Sequence, residues 1–174
     1  LTTSEDVHVI CLSPTLGDAM DFDASVYRML IPFPNREEIF GRQQIMNERD
    51  EVTGTKDLLL INAVSFSFDE VFALAAAYNG IAYPAHVDKP STSLLSNLGF
   101  VPPDSKFTCA EFHDFNNLHR IRRSHPYFSR CNVICCSDAH YLEEIHEPEY
   151  RLFSRSRKIS DILDALTSPL PAQT

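Results

Sequence analysis

The chemistry-bearing residues gather at the ends of short apolar runs. Residues 132 to 140 read Asn-Val-Ile-Cys-Cys-Ser-Asp-Ala-His, and Val133 to Cys136 suit a strand buried on both faces. Asp138 and His140 are two apart, so in an extended chain their side chains project to the same side. A carboxylate and an imidazole at a strand mouth form a reasonable half of a divalent metal site, since mixed oxygen and nitrogen donors serve catalytic ions. The alternative is a helix cap at Asp138 with His140 on the first turn. A second run, residues 80 to 85, delivers His86 at its C-terminal end. A third, Val7 to Leu12, carries His8, which reads either as a core or edge histidine or as a further ligand.

Four stretches in sequence order resemble the later motifs of the PHP (polymerase and histidinol phosphatase) domain. They are Val7-His8-Val9-Ile10-Cys11-Leu12, Pro84-Ala85-His86-Val87-Asp88-Lys89-Pro90-Ser91, Leu98-Gly99-Phe100-Val101-Pro102-Pro103-Asp104 and Ser137-Asp138-Ala139-His140-Tyr141-Leu142. The resemblance covers essentially the whole chain. It implies an α/β fold that is part of a distorted (β/α)7 TIM-like barrel, with mostly parallel strands and a two- or three-metal site at its C-terminal rim. It implies metal ligation by His8, His86, Asp138 and His140, with zinc, manganese or iron as the ions and Asp138 and His140 at the catalytic centre. The family's His-x-His strand, Thr-Asp-His-like motif and Gly-x-Glu motif do not occur in this sequence. Leu1-Thr2-Thr3 resembles the segment just past the ligand glutamate. Residues 1–174 are thus expected to be a single PHP-like domain lacking its N-terminal strands, those motifs being removed, carried by another polypeptide or naturally absent.

The activity implied is hydrolysis of a phosphate ester by a metal-activated water, acting on a phosphorylated small molecule or nucleotide. Lys89 is a candidate phosphate contact, and Ser91 near a helix N-terminus could add donors for an anion. A solvated lysine and an ordinary cap are the plain readings of the same two residues. The missing early motifs motivate a different class of function, a non-catalytic PHP-like domain or subunit with an incomplete metal site, acting in protein interaction. Removing the first strands of a barrel exposes sheet edges. The chain is therefore expected to pair with a missing N-terminal segment or with a second copy of itself.

Composition bounds these readings. With 15 basic and 24 acidic residues the net charge is −9, which argues against a broad electrostatic footprint for duplex nucleic acid. Metal ions would supply local positive charge for a phosphate. Five cysteines without zinc-ribbon or Cys-x-x-Cys spacing read as reduced thiols of a cytoplasmic protein. No apolar run approaches the ~20 residues of a membrane span, and no signal peptide is recognisable.

The elements that must position these residues follow in order. An imperfect helical stripe runs from Leu16 to Leu30, and Pro32-Phe33-Pro34-Asn35 stops it. Residues 43–47 and 51–53 read as two short strands around the turn-prone Glu48-Arg49-Asp50. Leu58 to Ile61 reads as strand or helix start. Ser67-Phe68-Asp69-Glu70 is a capping box for a helix through Tyr78, closed by Gly80 in a left-handed conformation. A short helix ends at Gly99, and Phe107 to Phe112 is a strand with Glu111 facing the rim. His113, His119 and His125 read as loop or surface residues, and Arg120, Arg122 and Arg123 as a solvated face or a phosphate clamp. Arg151-Leu152-Phe153 reads as a last strand, residues 160–166 as a capped helix, and Pro169 to Thr174 as a frayed tail.

Overall fold

Alternating apolar runs and capped segments fold into a mixed α/β arrangement, described for residues 1–168 in a computed structural model; the tail read from Pro169 onward lies outside the described residues. The order is β1 (Val9–Leu12), α1 (Leu16–Arg28), α2 (Glu37–Phe40), β2 (Gln44–Met46), β3 (Val52–Thr55), α3 (Phe68–Ala77), β4 (Ile81–Pro84), α4 (Leu94–Asn97), β5 (Cys109–Phe112), α5 (Leu118–Ser124), β6 (Asn132–Cys135) and α6 (Ile159–Thr167). The strands pair two by two, and no closed barrel forms among the described residues. β5 and β6 are parallel, with Glu111 opposite Ile134. β1 and β4 are antiparallel, with Val9 opposite Pro84, which departs from the mostly parallel expectation. The Val87 amide donates to the Glu111 carbonyl at 2.8 Å, joining the end of β4 to β5.

The hairpin read around Glu48-Arg49-Asp50 forms as β2 and β3, with Asp50 in the left-handed region at φ 59°. α3 forms where its capping signal places it. The Glu70 carboxylate accepts from both the amide and the hydroxyl of Ser67 at 2.8 Å, and Phe68, Val71 and Ala75 are buried. These side chains join Val7, Val9, Phe112 and Phe128 in the main core, where the Phe112 and Phe128 rings meet edge to face at 5.9 Å. Fully burying such side chains stabilises by about 1.5–3 kcal/mol each.

Several elements differ from their sequence readings for local reasons. α1 forms behind its Thr15 cap but buries none of its own residues: Leu16 and Met20 stay exposed, and the stripe is covered only toward its C-terminal end, where the Tyr27 hydroxyl accepts from the Leu58 amide at 3.3 Å and the buried Leu30 bridges to Val64. β6 is half-buried rather than enclosed, because among the described residues it pairs with β5 alone. Leu58 to Ile61 is neither strand nor helix: Leu58 makes a lone bridge to Pro34, and Leu59 is buried beside it. No strand forms at Arg151 to Phe153, and α6 starts after Lys158, leaving Ser160 inside the helix rather than at its cap.

The turn from α3 into β4 also departs from expectation. Asn79, not Gly80, takes the left-handed conformation, at φ 57°. Gly80 is needed for space instead, since a Cβ there would stand 2.8 Å from the Leu12 carbonyl oxygen and 3.2 Å from that of Ala75. Gly80→Ala is expected to lower stability by about 1–3 kcal/mol through backbone overpacking. Gly17→Ala, whose Cβ would meet only the Thr15 hydroxyl at 3.7 Å within α1, is expected to raise it by up to about 1 kcal/mol. Urea unfolding of the two variants checks both, and equal midpoints would contradict the close approach at Gly80.

Candidate functional site

Antiparallel pairing of β1 with β4 decides where the histidines meet. His8 stands just before β1 and His86 just after β4, so the register that sets Val9 against Pro84 brings both to one end of the sheet. The backbone of His8 is fixed on both sides: its amide donates to the Thr92 carbonyl at 2.9 Å, and its carbonyl accepts from the Ala85 amide at 3.0 Å. Asp138 follows β6, the strand parallel to β5. His86 and Asp138 both have positive φ, 28° and 51°, a region costly for residues other than glycine and concentrated at functional sites.

The rings and the carboxylate are in close reach. His8 Nδ1 lies 3.2 Å from His86 Nε2, and Asp138 Oδ2 lies 3.8 Å from that same nitrogen. Lys89 Nζ donates to Asp138 Oδ2 at 2.6 Å, both side chains being only partly exposed. His86 is 2% exposed, and its amide donates to Glu111 Oε1 at 3.2 Å. Glu111 is itself buried, at 6% exposure. A cavity of about 530 Å³ opens beside these groups, lined by Lys89, Asp138, His140 and Ser137 with His113, His146, Glu143 and Glu144.

Burial sets the protonation states. Desolvation lowers the pKa of both His8 and His86 below 6.5, against the upward pull of Asp138, so both rings are neutral near neutral pH with lone pairs available. Partial burial works against ionisation of Asp138, but the Lys89 hydrogen bond and the neighbouring positive groups outweigh it and hold this carboxyl below the usual range. Glu111 moves the other way, raised first by burial and only partly relieved by the His86 amide. The Cys136 thiol beside it is pushed up to about 12, by burial and then by Glu111.

Neutral imidazoles and a carboxylate are suited to a divalent ion. Two nitrogens each about 2.0–2.1 Å from one tetrahedral zinc-like ion stand about 3.3 Å apart, close to the 3.2 Å of His8 and His86. Asp138 Oδ2 is also near enough to share an ion with His86. Against this, Lys89 already occupies that oxygen, and His86 Nδ1 is buried without a hydrogen-bond partner, where metal-bound imidazoles usually have one. Among the described residues no group of three or more His, Cys, Asp or Glu side chains is disposed to hold a metal ion. His8, His86 and Asp138 therefore fit as part of a donor set and do not complete one.

The other residues singled out in the sequence are placed less closely. His140 lines the cavity, but it is exposed: its Nδ1 lies 3.0 Å from the Asp138 carbonyl oxygen, and its amide donates to Glu144 Oε2 at 2.9 Å. Asp138 and His140 thus share a cavity without projecting as a strand pair. Ser91 is exposed, and the cap of the short α4 is Ser93, whose hydroxyl accepts from the Ser96 amide at 3.2 Å. Sequence reasoning passed over Asp88. Its carboxylate accepts from the His113 amide at 2.7 Å, the Asp114 amide at 2.9 Å and the Asn117 side chain at 2.9 Å, fixing the loop after β4 to the loop after β5. Its place directly after the Pro-Ala-His-Val stretch was the available signal.

The fold has a counterpart among solved structures. The chain is similar to the lesion-specific endonuclease PfuEndoQ from Pyrococcus furiosus, with a TM-score of 0.58 and 17% sequence identity, over 92% of this chain and 36% of that one. At that identity the likeness shows a shared fold, and this chain spans about a third of the endonuclease's length. No family model matches the chain. No curated protein matches it either. Among the described residues no helix is long and apolar enough to cross a membrane.

The lowered histidines carry a pH dependence whose sign is fixed. Unfolded, each ring takes up a proton near pH 6.5; folded, it does so only at lower pH, so the folded state loses stability as the pH falls through 6.5. Glu111 acts in the opposite sense, because a raised carboxyl takes up its proton earlier in the folded state. Comparison with His86→Gln isolates the histidine. The wild-type advantage in urea midpoint, measured without added metal, is expected to shrink from about pH 7.5 to about pH 5.5. An advantage constant over that range would contradict the desolvated, neutral His86.

Proposed function

We propose that this chain carries part of the active site of a metal-dependent phosphoesterase of PHP type, on a portion of a distorted (β/α)7 barrel. The reading rests on one observation, the two neutral imidazoles of His8 and His86 meeting at 3.2 Å beside the Asp138 carboxylate. His8, His86 and Asp138 would hold a divalent ion, zinc, manganese or iron, with His140 as a further ligand from the same cavity. The ion, when bound, supplies a hydroxide nucleophile near neutral pH and neutralises phosphate oxygens. The protein's own part is to keep both imidazoles deprotonated by burial and to hold Asp138 ionised through the Lys89 ammonium until an ion takes its place. Lys89, released from Asp138, would place its ammonium in the cavity to bind a phosphate oxygen as a point charge. The resemblance in fold to an endonuclease supports a phosphate ester as the bond cleaved, and the net charge of −9 favours a phosphorylated small molecule or nucleotide over duplex nucleic acid.

The Lys89 to Asp138 ion pair also favours a second reading. An ammonium in place of a metal leaves a non-catalytic domain whose partners would be proteins or a second copy of the chain. Manganese binding by calorimetry and phosphate release from an aryl phosphate and from a nucleoside monophosphate separate the two. Under the first reading the protein takes up manganese, and His86→Ala and Asp138→Ala each lower turnover by at least about 100-fold, the upper end of what loss of a mere supporting partner costs. Lys89→Met is expected to raise KM more than it lowers kcat. If the protein takes up no manganese and releases no phosphate, the second reading holds.

A further inference from the structure

One buried group at the site is not used by the chemistry above. Glu111 lies on β5, in a strand whose four residues are all buried, and a carboxylate in that position is costly unless its oxygens are engaged. Both of its neighbours belong to the site. Glu111 Oε1 accepts from the His86 amide at 3.2 Å, and the Cys136 thiol, two residues before Asp138, lies near the same carboxyl. The Glu111 carbonyl accepts from Val87 at 2.8 Å, and the Cys136 amide donates to the Phe112 carbonyl at 3.2 Å. Two adjacent residues of β5, Glu111 and Phe112, thus tie the loop after β4 and the loop after β6 to one strand, and these loops carry His86 and Asp138.

We infer that Glu111 is a positioning residue: its carboxylate holds the His86 backbone in its positive-φ conformation and sets the separation of His86 from Asp138, so that the two can share one divalent ion. The inference rests on the metal-site reading above. The His86 amide, at φ 28°, donates to Glu111 Oε1, and the His86 carbonyl accepts from the Lys89 amide at 3.0 Å. Without the Glu111 oxygen the amide would lose its partner, and the backbone could relax toward ordinary dihedrals. Nε2 would then move away from His8 and Asp138.

The test compares Glu111→Asp, which keeps the charge but withdraws the oxygens by one methylene, with Glu111→Gln, whose side-chain oxygen can still accept from His86. Manganese affinity is measured by calorimetry, and hydrogen exchange of the His86 amide by NMR without added metal. Glu111→Asp is expected to bind manganese about 10–100-fold more weakly, with faster exchange at His86 and a lowered urea midpoint in a transition that stays cooperative. Glu111→Gln is expected to stay within about threefold of wild type in both readouts, since the hydrogen bond is kept. Equal affinity and exchange in all three proteins overturns the assignment. So does equal loss in both variants, or failure of Glu111→Asp to fold, which would make Glu111 part of the scaffold. His86→Ala in the same series separates the two levels. If it loses manganese while Glu111→Asp does not, only the Glu111 role fails; if wild type binds none, the metal reading and this inference fail together.

Discussion

The backbone hydrogen bond from Ala85 to the His8 carbonyl, 3.0 Å long, is the constraint on which the site depends. It continues the β1 to β4 pairing by one step beyond the strands, and thereby sets a residue that precedes one strand against a residue that follows another. A parallel pairing would have sent His8 to the far end of the sheet from His86. Around this junction lie the buried valines of β1 and its approach, Val7 and Val9, which anchor the pairing in the main core. Gly80 permits it from the other end, by letting the turn into β4 pass close to Leu12.

Desolvation and charge then divide the work. Burial strips His8 and His86 of their protons, while Asp138, on the more open side, keeps its charge because Lys89 lies against it. The site is therefore a neutral nitrogen pair facing a neutralised carboxylate. Such an arrangement gives up little when a cation replaces the ammonium, because one positive partner is exchanged for another. Glu111 adds a second buried carboxyl behind the first row of groups, with one oxygen accepting from the His86 amide.

Much of this was legible in the residues, and what was not has physical causes. The capping box at Ser67 and Glu70, the hairpin around Asp50 and the apolar strands β4, β5 and β6 are local signals, satisfied within a few residues. His86 at a strand end was visible for the same reason. The hand of the β1 to β4 pairing was not, since no local residue encodes whether distant strands run parallel. The spacing of Asp138 and His140 makes them a same-face pair only if the strand continues through them. The left-handed turn at Asp138 breaks that geometry, and short side chains such as Asp tolerate it well enough to leave no mark in the sequence. Asp88 and Glu111 act through backbone amides of other loops, and a one-dimensional pattern gives no view of those partners.

The contact between His8 and His86 spans 78 residues, and that between Lys89 and Asp138 spans 49. Closing loops of such length is entropically unfavourable until the surrounding strands are in place, so these contacts belong to the late, cooperative part of chain collapse. A fragment that keeps the junction must span at least His8 to Asp138. The geometry of this junction is consequently tied to the integrity of the packed core, and any ion it held would feel a loosening of that core at a distance.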